Sequence, residues 1–197
     1  MVKQKYIALV DCDSFFVSCE QKRNTTLKNK PVCVLSNSEG CVISRSKEAK
    51  KMGVRMGEPY FMLKKEHPKA IFKIADHEYY SQVSKQVMAI LKDFSPYVQI
   101  YSIDEAFVDL TGLVKLYKKN YKNLAIHLRE KILQEADIPV SIGVSSTKTL
   151  SKLASDKAKK TSCGVYLIGR CKIHKELNNT IIEEIWGIGR RLTKSLK

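Results

Sequence analysis

No run of apolar residues in the 197-residue chain is long enough to cross a bilayer as a helix. The opening segment MVKQKYIALVDCD meets an Asp too early for a secretory signal, so the expected compartment is the cytoplasm. Internal repeats, low-complexity tracts and a Pro- or Ser-rich linker are also missing. The chain therefore reads as one good-sized domain or a domain with smaller attachments. Six cysteines (Cys12, Cys19, Cys33, Cys41, Cys163, Cys171) include no C-x-x-C pair and stand near no His cluster of zinc spacing, which argues against a zinc module and predicts reduced, mostly buried thiols. Negative charge is scarce beside positive: 20 Asp and Glu against 35 Lys and Arg leave a net charge of +15. An excess of this size attracts polyanions through phosphate contacts. A membrane surface would compete, but the chain has no basic amphipathic anchor or lipidation signal, so no membrane partner is expected. Surplus lysine can also serve solubility alone. Nucleic acid or a nucleotide is the better fit.

What the chain does have is acid at strand ends. In Tyr101 to Leu110 (YSIDEAFVDL), Asp104 and Glu105 stand between two apolar runs, Tyr97 to Ile103 and Ala106 to Leu110. Turns favour Asp for their own reasons, so alone this pair needs no function. It gains meaning from the strand Tyr6 to Val10, which runs into Asp11 and Asp13. Carboxylates at the ends of neighbouring strands can converge on Mg²⁺, which takes one or two of them together with substrate phosphate oxygens.

Around these acids the patterning predicts an α+β sheet with helices on one face and Lys28 to Ala75 as an inserted lobe. A helix should start from a cap at Asp13 or Ser14, with Phe15, Phe16 and Cys19 at helical spacing; the two Phe residues can equally be plain core. Val32–Leu35 and CVIS form a hairpin with Gly40 near its tip. SKEAKKM follows as a helix ending at Gly53, with Arg45, Lys47, Lys50, Lys51 and Arg55 clustered about it. Gly57 to Pro68 is irregular, and Ile71 to Ile74 is a strand. Tyr79 to Phe94 and Leu116 to Ala136 are amphipathic helices, and VSIGV is a strand. Ser145 to Lys160 is a cap and a basic helix whose Lys148, Lys152, Lys157, Lys159 and Lys160 can bring ammonium groups near the acids. GVYLI closes the sheet. Short helices follow at Ile173 to Leu177 and Ile181 to Ile185, then Gly187 and Gly189 before a last basic helix. Paired glycines there would let backbone amides approach phosphate, although a lone G-x-G is a common turn.

Three strand-end acids, a lysine-rich helix and a basic lobe suit two-metal phosphoryl or nucleotidyl transfer, with Asp11 bridging the ions and Asp104 and Glu105 toward the attacking group. Asp13 and Asp109 are alternative members of the set. Spacing alone does not separate a polymerase from a cyclase or a nuclease.

The blocks VDCDSFFVSCE, GCVISRSKEAKKMGVRMGEPYF, YSIDEAFVDLTG, SIGVSSTKTLSKLASDKAKK and IWGIGRRL, in this order over nearly the whole chain, resemble the Y-family translesion DNA polymerases, UmuC/ImpB/MucB/SamB branch. The resemblance implies a right-hand architecture: palm in 1–27 and 76–168, small fingers in 28–75, and the start of a helix-hairpin-helix thumb in 169–197. It implies template-directed DNA nucleotidyl transfer on a primer-template with dNTP and two Mg²⁺ ions, in lesion bypass and the SOS response. Asp11, Asp104 and Glu105 match the metal-binding carboxylates, and Cys12 matches the position that lends a backbone carbonyl to a metal. Phe16 matches the aromatic gate against a ribose 2′-hydroxyl, with Phe15 packed beside it. Lys159 matches a triphosphate-binding lysine. Gly187, Gly189 and Arg190 fall on the DNA-binding hairpin, Ser102 is a close-packed neighbour of the acids, and Asp109 is structural. Lys47 and Lys50 replace the usual fingers Tyr and Arg; Arg45 is the candidate substitute, since Lys does not reproduce the bidentate fork of Arg. The family's little-finger domain is absent, so the expectation is an N-terminal catalytic fragment, weakly active or inactive by itself. Contacts with a sliding clamp or a recombinase filament would belong to missing regions. Two competing readings are a non-catalytic DNA- or partner-binding module and a nucleotidyl cyclase; the fingers-like block and the WGIG tail argue against the cyclase.

Overall fold

The structure, a computed structural model, describes residues 5–196 apart from the side chain of Arg190. Secondary structure begins with β1 (Ile7–Cys12), α1 (Phe15–Arg23), β2 (Val32–Leu35) and β3 (Val42–Arg45). Then come α2 (Lys47–Lys51), α3 (Tyr60–Glu66), β4 (Ile71–Ile74) and α4 (His77–Phe94). The strands β5 (Val98–Ile100) and β6 (Glu105–Asp109) lead into α5 (Leu113–Tyr117) and α6 (Tyr121–Ala136). The chain finishes with β7 (Val140–Ser145), α7 (Lys148–Ala158), β8 (Val165–Leu167), α8 (Ile173–Asn178) and α9 (Arg190–Leu196). These elements form two compact units. One holds the chain up to Asp11, Met88–Glu135 and everything from Val140 on; the other holds Cys12–Val87 and Ala136–Pro139.

The first unit is built on a five-stranded mixed sheet of order β5-β6-β1-β7-β8. β6 runs antiparallel to both β1 and β5, while β7 and β8 are parallel. All residues of β1 from Ala8 to Cys12 and all six of β7 are buried, which is why both read as unbroken apolar runs rather than alternating ones. α7 lies on β7 at Gly143. A Cβ there would overlap the backbone of Ser151 and Ser155, so only glycine lets the helix come this close. Ser151 Oγ sits 2.7 Å from the Ile7 carbonyl oxygen and 2.8 Å from that of Thr147, tying α7 to β1 as well. Leu124, Leu128 and Ile132, one helical stripe of α6, are fully buried, each contributing about 1.5–3 kcal/mol relative to exposure.

In the second unit, β2 pairs with β3 as the expected hairpin and with β4 in parallel. Cys33, Leu35, Val42, Ala49, Val54 and Leu63 form its core. Ser46 opens α2: its Oγ accepts the Ala49 and Val32 N–H groups and donates to the Lys30 carbonyl.

Several local expectations are corrected. The helix expected over Leu116–Ala136 is two helices, because Lys118 takes a left-handed φ of 49° and Asn120 then caps α6 through the Asn123 N–H. The stretch read as irregular contains α3, whose one buried residue is Leu63 with Tyr60 partly buried against the same core, too little for a periodic signal. Ser14 precedes α1 but in a left-handed conformation with no side-chain cap, and Ser18 Oγ instead bonds the Asp13 carbonyl. The first strand of the acidic hairpin stops at Ile100, with 101–104 as a bend. All six cysteines are free; Cys12, Cys19 and Cys33 are buried, Cys171 is exposed, and the other two are intermediate. Among the described residues no helix is long and apolar enough to cross a membrane.

Candidate active site

Asp11, near the end of β1, and Glu105, at the start of β6, are direct partners across the antiparallel ladder. Two carboxylates facing each other on adjacent strands repel, and the more so when buried. α7 supplies the compensation. Lys159 Nζ stands 2.7 Å from Asp11 Oδ2, and Lys152 Nζ bonds Glu105 Oε1 while lying 3.3 Å from Asp11 Oδ2. Lys152 and Lys159 are seven residues, two turns, apart, which puts both on one side of the helix.

The electrostatics divide the pair. Burial pushes Asp11 upward, but a hydrogen bond with Glu105 and the charges of Lys159 and Lys152 leave it below its ordinary value. Glu105 is pushed up to about 7 by burial and by Asp11, against the pull of Lys152. Near neutrality the two therefore share a proton, as closely placed carboxylates do. Both lysines are held charged: burial opposes their charge, but Glu105 and Asp11 outweigh it at Lys152, and Asp11 does so at Lys159.

Asp104 is placed differently from its neighbour. It lies in the bend, where Ser102 Oγ donates to its carboxylate at 2.6 Å and accepts the N–H groups of Asp104 and Glu105. Asp109 accepts the Thr111 N–H in a local turn. Asp13, in the other unit, uses its backbone to bond the Pro139 carbonyl. Among the described residues no three His, Cys, Asp or Glu side chains are grouped to hold a metal ion. What does converge is a pair of oxygen donors with one proton and one ammonium between them. That donor set fits a hard divalent cation completed by phosphate oxygens and water.

In the second unit Cys12 and Phe15 are buried, and Phe16 is half-buried against Tyr80. Lys50 reaches Ser14 Oγ at 3.4 Å. Arg45 turns its guanidinium to the Val54 carbonyl, with its Nε buried and unpaired, while Lys47 is exposed. Toward the C-terminus, Trp186 packs edge-on to Tyr101 at 5.3 Å. Gly187 takes a φ of 93°, and the Gly189 carbonyl accepts the Thr193 N–H at the start of α9. The side chain of Arg190 lies outside the described residues. Lys152 is the contact that sequence reasoning named only as part of a charged helix; its seven-residue spacing from Lys159 was the signal available.

Residues 10–156 match the family described as impB/mucB/samB. UmuC of Salmonella typhimurium is 39% identical over 96% of this chain and 46% of that protein. DNA polymerase IV of Saccharolobus solfataricus is 35% identical over 97% of this chain and 55% of its own length. Among solved structures, DinB from Sulfolobus solfataricus superposes with a TM-score of 0.85 at 32% identity. An insertion ternary complex of Dbh DNA polymerase gives 0.86 at 31%, each over 97% of this chain and 56% of the other. The chain thus spans about half the length of the relatives it matches. With the family match covering most of its length and solved Y-family DNA polymerases sharing its mixed α+β fold, the chain belongs to the impB/mucB/samB family.

Proposed function

We propose that this chain carries the nucleotidyl-transfer site of a Y-family translesion DNA polymerase, acting in the cytoplasm on a DNA primer-template and dNTP. The observation that carries the reading is the facing pair Asp11 and Glu105 with Lys152 and Lys159 against it. Paired carboxylates and flanking ammonium groups are what a triphosphate-metal complex needs. Asp11 and Glu105, joined by Asp104 and the Cys12 carbonyl, would hold Mg²⁺, which when bound supplies Lewis-acid charge neutralisation and lowers the pKa of the attacking hydroxyl.

The protein groups have separable tasks. Glu105, pushed up to about 7 by burial and by Asp11, would give up its proton as a cation lets the pair become fully charged. Lys159 carries a fixed positive charge toward the triphosphate, and Lys152 orients Glu105. In the other unit Phe16 is assigned the exclusion of a 2′-hydroxyl with Phe15 behind it, and Arg45 and Lys50 the triphosphate. Arg45 would have to leave the Val54 carbonyl to do so. Gly187, Gly189 and Arg190 are assigned to DNA. Division into palm (1–27, 76–168), fingers (28–75) and the start of a thumb (169–197) belongs to the same reading, as do clamp or recombinase contacts in segments beyond this chain.

The test is template-dependent extension of a primer by one dNTP with Mg²⁺. Asp11→Asn and Glu105→Gln should each lower the rate at least ~100-fold, the scale of losing transition-state charge stabilisation. Wild-type rates in both variants would refute the assignment. If DNA binding falls with salt, is indifferent to Asp11→Asn and Glu105→Gln, and dNTP with Mg²⁺ gives no protection against unfolding, the non-catalytic DNA-binding module is the better reading.

A further inference from the structure

Trp186, the single tryptophan of the chain, belongs to the turn assigned to DNA and touches the strand pair that carries the acids. The Ile188 N–H bonds the Ile185 carbonyl at 2.9 Å, closing a turn in which Trp186 is the second residue and Gly187 the third. Gly187 has the left-handed φ, 93°, that a type II turn needs at its third residue. The Trp186 ring packs into a triangle. It lies edge-on to Tyr101 at 5.3 Å and tilted to Phe107 at 5.9 Å, and those two rings are themselves 5.9 Å apart. Lys148, the first residue of α7, joins the group: its Nζ stands 5.4 Å over the Phe107 ring and bonds Gln99 Oε1.

Tyr101 and Phe107 bracket the acids. Tyr101 opens the bend 101–104, and its N–H and that of Ser102 both bond the Glu105 carbonyl, at 3.0 and 3.1 Å. Phe107 follows Glu105 by two residues on β6, so the two side chains stand on one face of the sheet. Asp104 is held by Ser102 and is not grouped with Asp11 and Glu105, since among the described residues no three such side chains gather. Bringing its carboxylate to the facing pair requires a change in the bend, and Trp186 is seated on the first residue of that bend. Neither ring is locked into the core, with Tyr101 51% exposed and Trp186 37%. A shift of the turn can therefore move both, which close packing on all sides would resist.

The geometry points to Trp186 as a positioning residue that couples DNA at the Gly187 turn to Asp104: a phosphate backbone held by the turn sets the Trp186 ring against Tyr101, and the ring sets the bend from which Asp104 joins the facing carboxylates. The inference rests on the reading of Asp104 as a metal carboxylate and of the turn as a DNA contact. Coupling between two binding sites is reciprocal, so occupation of the acids is felt at the tryptophan when DNA is bound.

Fluorescence of Trp186, which no other tryptophan obscures, is the direct readout. Mg²⁺ is titrated, at a fixed concentration of matched dNTP, into the chain bound to a primer-template whose primer ends in a dideoxynucleotide, so that no turnover is needed. Wild type should show an emission change that follows Mg²⁺. Asp104→Asn and Tyr101→Ala should each lose it while keeping the change that DNA alone produces. Extension of an ordinary primer is the second readout. Trp186→Ala should raise the Mg²⁺ concentration for half-maximal extension about tenfold, while the primer-template dissociation constant measured without Mg²⁺ moves less than about threefold. Trp186→Phe, which keeps a ring, should recover most of the loss, and Trp186→Ala combined with Tyr101→Ala should be no worse than either alone. A folded Trp186→Ala with wild-type Mg²⁺ dependence, or one that loses DNA affinity and extension in equal measure, overturns the proposal and leaves the polymerase reading intact. Should Trp186→Ala not fold, a Tyr101→Ala that keeps the Mg²⁺-linked emission change overturns it in the same way. A wild type that extends primers while its emission ignores Mg²⁺ overturns it as well; one that does neither sinks the polymerase reading, and this inference with it.

Discussion

Lys159 and Asp11 are 148 residues apart in the chain and 2.7 Å apart in space, Nζ to Oδ2. The contact exists because β7 and β1 are neighbours in the sheet and α7, leaving β7, returns along it. Lys152, on the same helix, meets both carboxylates and is the better shielded of the two lysines, its side chain 21% exposed against 39%.

That difference ranks two substitutions. Lys152→Met should cost about 1–3 kcal/mol, because it leaves Asp11 and Glu105 facing each other with half their compensation. Lys159→Met should cost under ~1 kcal/mol once solvent screening is counted. Urea unfolding at pH 8 measures both, and the reverse order would contradict the arrangement described.

The Glu105 shift predicts how stability follows pH in the absence of divalent cations. Its folded pKa of about 7 lies above the ordinary 4.5, so between those values the folded chain binds more protons than the unfolded one and stability declines as pH rises. Asp11 is shifted the other way, and its contribution is lost as pH falls through the acid range. The difference in unfolding free energy between Glu105→Gln and wild type should therefore grow in favour of the variant from pH 5 to pH 8. A difference that stays flat would mean Glu105 is ionised throughout.

Cation binding should reverse that proton uptake. Titrating Mg²⁺-saturated dNTP into the chain at pH 6.5 in two buffers of different ionisation enthalpy should reveal proton release by calorimetry beyond that of the same titration without protein, and Glu105→Gln should abolish that excess. Binding with no such excess in wild type would rule out a shared proton.

Gly143→Ala places a methyl group against the backbone of Ser151 and Ser155. Overpacking of this kind costs about 1–3 kcal/mol. Because α7 carries Lys152 and Lys159, extension activity should fall by more than the loss of folded protein accounts for. Active-site titration alongside a thermal melt separates the two effects.

Ser102 holds the Asp104 carboxylate and two backbone N–H groups with one hydroxyl. Ser102→Ala should cost about 1 kcal/mol in stability. It should also raise the Mg²⁺ concentration needed for half-maximal extension, whereas Ser102→Thr, which keeps the hydroxyl, should restore much of it. Unchanged Mg²⁺ dependence in Ser102→Ala would show that Asp104 needs no such positioning.

Much of the fold is local and was readable residue by residue. The buried strands β1 and β7 announce themselves as unbroken apolar runs because both faces are covered, and α4 by its stripe, because helical period and burial coincide. The misreadings were also local in origin. α3 turns one residue fully inward, and the break at Lys118 depends on a left-handed lysine that no propensity foretells.

The sequence by itself determined which groups could do chemistry: the acids Asp11, Asp104 and Glu105, the basic face of α7, and the aromatic pair Phe15 and Phe16. Only tertiary structure decided which of them meet. The register of β1 on β6 sets Asp11 against Glu105, and glycine at 143 lets α7 close enough for Lys152 to bridge them. That pairing makes a shared proton out of two ordinary carboxylates, because repulsion, burial and ammonium charge act over a few ångströms and not along the chain.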